Sequence, residues 1–406
     1  MTTKSMPGAR GLYYDPYDFE IDSDPYPVWK QLRDDAPLYY NEQYDFFALS
    51  RFADVEPALI DWQEYQSGRG SILELIRADF EVPSGLVLFE DPPVHDVHRG
   101  LMSRVFTPKK MQAIEPQVRE FCARALDPFV GTGGFDFVRD LGAQMPMRVI
   151  GMLLGIPEQD QEAIRDQLDA GLKLESGDQT AAQTEATITA ENSSAMFAEY
   201  VEWRAQHPSD DLMTELLTAE FEDETGATRR LSRDEVLTYV NLIAGAGNET
   251  TNRLIGWTGK VLAEHPDERR AVAADRSLVP TAIEEILRFE APSPVQARYV
   301  ARDVEHYGQT VPEGSVMLLL NGAANRDERQ FPDGDRFDIR REAGHHLSFG
   351  YGLHFCLGAA LARLEGRVAL DEVLRRWTDW DVDYDNAVLG HTSTARGWEQ
   401  LPVHTS

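Results

Sequence analysis

From Ser232 to Glu264 the chain keeps a helical pattern for about 33 residues, well beyond the ~8 to 20 of an ordinary globular helix. Ser232-Arg233-Asp234-Glu235 supplies a capping box at the start and Pro266 ends the pattern. A helix of that length crosses a whole domain, so the rest of the fold has to be arranged around it. Its centre, Ala244-Gly245-Ala246-Gly247-Asn248-Glu249-Thr250-Thr251, is chemically unusual. Each interior glycine costs about 1 kcal/mol relative to alanine, and an acid beside a hydroxyl in a core-crossing helix needs partners. The run of small residues lets a flat object, or a second helix, lie against the backbone. Thr250 can bond back to the Ala246 carbonyl and bend the helix, opening a polar notch. Gly245-Ala246-Gly247 is not a dinucleotide fingerprint, because no strand precedes it and the third glycine is missing.

A second stretch has the same look of a site. In Phe349-Gly350-Tyr351-Gly352-Leu353-His354-Phe355-Cys356-Leu357-Gly358, two glycines ahead of Cys356 permit positive φ and close backbone approach. The run Ala359 to Glu365 is strongly helical, which puts Cys356 at a helix N-terminus, where free N–H groups favour a thiolate. Such a thiolate is a metal ligand or a nucleophile. Cys122, on the apolar stripe of an ordinary helix, reads instead as a core residue. Zinc is a further reading of Cys356, with His345, His346 and His354 nearby, but structural zinc usually takes four ligands and there is no CxxC.

Other pairs carry weaker signals. Asp91-Pro92-Pro93 opens a helix on which His95 and Arg99 share a face, a pairing that suits anionic oxygens. Glu285 and Arg288 stand at i and i+3 on another helix. The segment from Ser67 to Asp91 is apolar for a loop and can line a hydrophobic pocket through Leu75, Val87 and Leu88, with Arg77 placed to meet a carboxylate. Strand-like runs occur at 37–40, 46–49, 298–300 and 316–320, and helical periodicity dominates elsewhere.

The 406 residues hold no evident linker or repeat, and a single unit spanning 1–406 is expected. A formal charge of −30 argues against nucleic acid as a partner. Two cysteines in such different contexts form no disulfide framework, there is no secretory h-region, and no apolar run is long enough for a membrane anchor. A cytoplasmic protein is expected.

Phe-Gly-x-Gly-x-His-x-Cys-x-Gly at 349–358 resembles the haem-binding loop of the cytochrome P-450 family of haem-thiolate monooxygenases, in its soluble bacterial form. Ala246-Gly247-Asn248-Glu249-Thr250, His95-x-x-x-Arg99 and Glu285-x-x-Arg288 resemble that family's other motifs, in the expected order. The resemblance implies a mainly α fold with small β-sheets (α+β), a long central helix and a cysteine loop enclosing haem b. It makes Cys356 the iron ligand and places Gly358 and Ala246 against the haem. His95, Arg99, Arg298 and His354 become propionate ligands. Gly247 makes room for O₂, while Thr250 and Glu249 hand on protons. Glu285 and Arg288 form a structural pair joined by a third arginine, assigned to Arg336. Ile243, Val295, Gln296, Thr392 and Ser393 join Leu75, Val87 and Leu88 as substrate contacts, and helices at Glu158–Glu175 and Ala190–Gln206 form an access lid.

The implied activity is hydroxylation of a small hydrophobic molecule of terpenoid, steroid or fatty-acyl type. The chain has no flavin or nicotinamide fingerprint, so electrons come from an external ferredoxin and its NADH- or NADPH-dependent reductase. Docking would use Arg104, Lys109, Lys110, Arg340, Arg341, Arg363 and Arg367. A peroxide-using haem-thiolate enzyme, a haem-based sensor and a haem-free binding protein are the alternatives.

Overall fold

The computed structural model describes residues 11–78, 85–104, 106–170, 197–342, 344–392 and 395–406. The helices that frame the site are α1 (Val94–Ser103), α2 (Met145–Leu154), α3 (Arg233–Glu264), α4 (Val279–Phe289) and α5 (Ala359–Arg376). The long helix is α3, 32 residues without interruption and so about 48 Å long. Its capping box closes both ways: the Glu235 N–H donates to Ser232 Oγ at 3.2 Å and the Ser232 N–H to the Glu235 carboxylate at 2.7 Å. Thr250 Oγ1 donates to the Ala246 carbonyl at 3.0 Å, as expected, and the helix continues past it.

Packing against α3 explains part of its glycine content. A Cβ on Gly259 would stand 2.5 Å from the Phe137 ring, so the π-helical turn Phe137–Gly142 approaches the helix backbone only because that position is glycine. Helix α5 lies against α3, α4 and the helix Glu115–Leu126, where Cys122 is fully buried, as a core cysteine should be. Helix Glu158–Ala170 forms the first part of the expected lid; helix is present again from 197 to 206, and the intervening 171–196 lie outside the described residues.

A five-stranded sheet flanks this helical body. Its strands are β1 (Leu38–Asn41), β2 (Phe46–Leu49), β3 (Tyr65–Gln66), β4 (Gln296–Val300) and β5 (Val316–Leu319), in the order β1-β2-β5-β4-β3. Only the β2–β5 pair is parallel. Strands β2 and β5 are buried at every position, consistent with a sheet covered on both faces. A C-terminal hairpin, β6 (Val388–His391) with β7 (Arg396–Gln400), packs back on α3.

Between α4 and α5 a buried polar cluster holds the chain that leads to Cys356. The Arg288 guanidinium donates twice to Glu285 at 2.7 Å and also to the carbonyls of Asn325 and Gly334 at 2.7 and 2.8 Å. The third arginine of this cluster is Arg341, whose Nε meets Glu285 Oε1 at 3.1 Å. This corrects the assignment to Arg336, which offers only its carbonyl, to Arg288, while its side chain is 67% exposed. Breaking a hydrogen bond to a buried charge costs about 1–3 kcal/mol, whereas exposed charges usually contribute within about 0.5 kcal/mol. Arg341→Ala is therefore expected to lower the melting temperature by several degrees and Arg336→Ala to leave it nearly unchanged; equal effects in thermal denaturation would refute the reassignment.

Candidate active site

The two glycines before Cys356 adopt positive φ, +66° at Gly350 and +69° at Gly352, so the loop turns back sharply enough for the Cys356 N–H to donate to the Phe349 carbonyl at 2.8 Å. Cys356 lies just ahead of α5, and the N–H groups of Gly358 and Ala359 point at its sulfur. Burial is nevertheless the largest influence and pushes the Cys356 thiol up, against those N–H groups and the charges of Arg99 and Arg363. The expected helix-end effect is present but outweighed by burial.

The sulfur opens onto a cavity of about 280 Å³. Cys356, Gly358 and Phe349 line one wall, and Ala246, Gly247 and Thr250 of α3 line the opposite one. Val87, Leu88, Ile243 and Gln296 also reach the cavity. Among the lining residues that sequence reasoning missed are Met102, Phe106, Leu242, Leu254, Pro292 and Ser293. Leu242 and Leu254 were readable, since steps of four along α3 from Thr250, two back and one forward, lead to both.

Other sequence assignments move. Leu75 sits half-buried on the helix Leu73–Ala78 against Gly70, away from the cavity, and Arg77 beside it is exposed near Tyr17. Val295 faces a separate small recess with Tyr14 and Trp29. Thr392 closes its own turn by bonding to Ala395 and lines clefts outside the cavity; Ser393 lies outside the described residues. Gln296 lines the cavity, but its amide oxygen accepts from Arg298 at 3.2 Å and its amide nitrogen lies near Gly350, so it belongs to the polar rim. At Gly247 a Cβ would stand 2.7 Å from Ile150 Cδ1, so close packing against α2 also requires glycine there.

The polar rim gathers cations. His95 and His354 have ring centroids 4.5 Å apart, and the Nε2 atom of each is buried without a hydrogen-bond partner. Arg298 is buried beside them, and Arg99 reaches the Phe355 carbonyl at 2.5 Å. Burial, helped by the charges of Arg298, His95 and Arg99, pushes His354 down to about 3; burial lowers Arg298 to about 10. Orphaned donors and crowded positive charge of this kind are what an anionic ligand satisfies. The rim can thus offer donors to carboxylates, and the Cys356 sulfur in the adjoining cavity wall can offer a soft ligand to a metal. Zinc does not fit: His345 bonds Glu56, His346 bonds Glu284, and among the described residues no cluster of three or more His, Cys, Asp or Glu is placed to hold a metal ion.

Glu249 lies on a different face of α3. It is buried, pairs with Arg253 at 3.2 Å and lines a polar cleft of about 240 Å³ with Arg139, Asn252 and Glu399. Most of the expected docking cations are engaged locally: Lys110 with Glu215, Arg340 with Glu268, Arg341 with Glu285, Arg363 with Glu284 and Arg367 with the Arg363 carbonyl. Arg104 and Lys109 are exposed.

Fold and cavity together are those of a helix-rich scaffold with a cysteine in the wall of a largely apolar chamber beside its longest helix. The cytochrome P450 family model matches residues 35–388. Putative cytochrome P450 123 of Mycobacterium tuberculosis (strain H37Rv) is 40% identical over 400 residues, 98% of each chain. The vitamin D(3) 25-hydroxylase of Pseudonocardia autotrophica is 35% identical over 93% of each. Among solved structures, cytochrome P450 CYP109Q5 from Chondromyces apiculatus matches with a TM-score of 0.85 at 32% identity, covering 97% of this chain and 98% of that one. CYP109E1 from Bacillus megaterium, in complex with testosterone, gives 0.86 at 27% identity over 95% and 99%. The chain belongs to the cytochrome P450 family of haem b-dependent monooxygenases. Among the described residues no helix is long and apolar enough to cross a membrane.

The depressed His354 gives a pH signature. Its folded-state value of about 3 lies below the ~6.5 of an unfolded histidine, so stability is full above that range and falls as pH drops, because the unfolded chain takes up the proton first. The haem-free protein is expected to lose denaturant resistance between pH 7 and pH 5, and His354→Asn to flatten that slope. An unaltered slope in the variant would show that the pH dependence arises elsewhere than at His354.

Proposed function

We propose that Cys356 would ligate the iron of haem b held between the cysteine loop and α3, with His95, Arg99, Arg298 and His354 as the residues that would receive its propionates. The observation that carries this reading is the cavity itself, with the Cys356 sulfur in one wall, Gly247 and Thr250 in the other and two orphaned histidine nitrogens in the adjoining polar rim. When bound, the haem supplies O₂ activation, with thiolate ligation favouring O–O cleavage. The protein's own part is to hold an apolar molecule near that centre, exclude bulk water and deliver protons.

Thr250 Oγ1 is the proton-bearing group on the cavity side. Its neighbour Glu249 draws protons from the polar cleft on a different helix face, held there by Arg253. Val87, Leu88, Ile243 and Leu242 form an apolar enclosure suited to a terpenoid, steroid or fatty-acyl substrate, and the reaction is its hydroxylation. That the relatives include a vitamin D(3) hydroxylase and a structure holding testosterone supports a substrate of this type. Ala246 and Gly358, both in the cavity lining, would pack against the haem. Electrons come from an external ferredoxin and reductase, with Arg104 and Lys109 as the exposed cations available for docking. Both cysteines are free, in keeping with the reducing cytoplasm.

Removing a positioned proton donor costs about 100-fold or more in the assisted step. Thr250→Ala is expected to consume NADH through a ferredoxin system while product per electron pair falls by about tenfold or more and hydrogen peroxide rises. The substrate is found by screening steroids, terpenoids and fatty acids for an iron spin-state shift. Wild-type coupling in Thr250→Ala would remove Thr250 from the relay.

A further inference from the structure

One buried carboxylate–imidazole hydrogen bond near the cavity, between Glu90 and His98, has no role in the haem and proton-delivery assignments above. The Glu90 carboxylate, 8% exposed, meets His98 Nδ1 at 2.7 and 2.9 Å and accepts the Gly85 N–H at 2.8 Å. His98, on α1, is 1% exposed, and Tyr239 of α3 presents its ring edge-on with centroids 6.0 Å apart. The stretch between the two ends of this clasp, Leu86 to Phe89, forms a single 3₁₀ turn that carries Val87 and Leu88 into the cavity wall. Gly85 has φ +92° and lies against Glu235 of α3. The turn is thus tied at one end to α1 and at the other to its own carboxylate, within a cluster that touches the central helix.

We propose that Glu90 and His98 are positioning residues for substrate: their bond fixes the turn that presents Val87 and Leu88, and so sets the shape of the cavity's apolar end. The inference rests on the monooxygenase reading of the cavity. A buried polar pair adds little net stability over apolar residues of the same shape. Its directional bonds do fix geometry, because a carboxylate shared between an imidazole and a backbone N–H allows one arrangement of the turn. The side chains of the pair touch neither Cys356 nor Thr250, and Glu90 meets His354 of the cysteine loop only through its backbone, which side-chain changes retain, so their loss alters what fits and leaves the iron's ligation unchanged.

The test uses the haem-loaded enzyme and two azoles that bind ferric iron. Imidazole is too small to reach the turn, whereas clotrimazole, a bulky triaryl imidazole, fills the apolar end. Glu90→Ala and His98→Leu are each expected to weaken clotrimazole by about tenfold with imidazole affinity and the ferrous carbonyl spectrum unchanged. Glu90→Gln keeps an oxygen for Gly85 and His98 and should restore most of the loss. The double variant Glu90→Ala/His98→Leu should be no worse than either single change, as for two halves of one interaction. If a single variant does not fold, Glu90→Leu/His98→Leu removes both polar partners together and allows the same comparison. Equal losses for both azoles, or none for clotrimazole, would overturn the proposal while leaving the haem site standing. A wild-type protein whose spectrum responds to neither azole would overturn the monooxygenase reading as well.

Discussion

A continuous series of hydrogen bonds runs from the interior of α4 to the sulfur-bearing loop, and the placement of Cys356 depends on it. Arg288, fully buried, is neutralised by Glu285 and bonds the Asn325 carbonyl. The Asn325 side chain in turn accepts the Leu347 N–H at 2.7 Å and donates to Ser348 Oγ at 2.8 Å, while Ser348 Oγ returns to the Leu287 carbonyl at 2.6 Å. Phe349 follows, and its carbonyl holds the Cys356 N–H. Every link is buried and directional, so a local shift would leave a charge or an amide unpaired inside the protein. That is how a loop with so many glycines comes to have one conformation.

Across the cavity, α3 is the opposing constraint. Its length and caps make it rigid, and its small residues bring backbone rather than side chains to the wall. The site between is electrostatically unfinished by protein groups alone. Two buried imidazole nitrogens lack partners, His354 and Arg298 are held below their ordinary values, and the Cys356 thiol is held above its own. The residues of the rim and Cys356 would hold a haem by its carboxylates and its metal, which would supply both missing charges, and deprotonation of the cysteine would then be coupled to binding.

Much of this was legible in the sequence because the decisive features are local. The capping box at Ser232, the Thr250 back-bond, the positive-φ glycines before Cys356 and the core placement of Cys122 follow from short-range stereochemistry. What failed depended on chain path. Arg336 and Arg341 lie five apart in one irregular stretch, and only the course of that stretch decides which reaches Glu285. Val295 was misplaced through parity: it precedes β4, in which Gln296 and Arg298 share a face, and alternation sends it to the other side. Leu75 and Thr392 belong to segments whose direction is set by the sheet and by the C-terminal hairpin. The Glu90–His98 bond bridges a Pro-Pro turn, so no periodic pattern announced it.

The central claim is that the Cys356 sulfur is bonded to iron within this cavity, and the spectrum of the reduced carbon monoxide adduct addresses it directly. The haem-loaded protein should show the strongly red-shifted Soret band that only a thiolate ligand produces, and Cys356→His should abolish that shift while retaining haem. A band that lacks the red shift in the native protein, or that is the same in both proteins, would contradict the account.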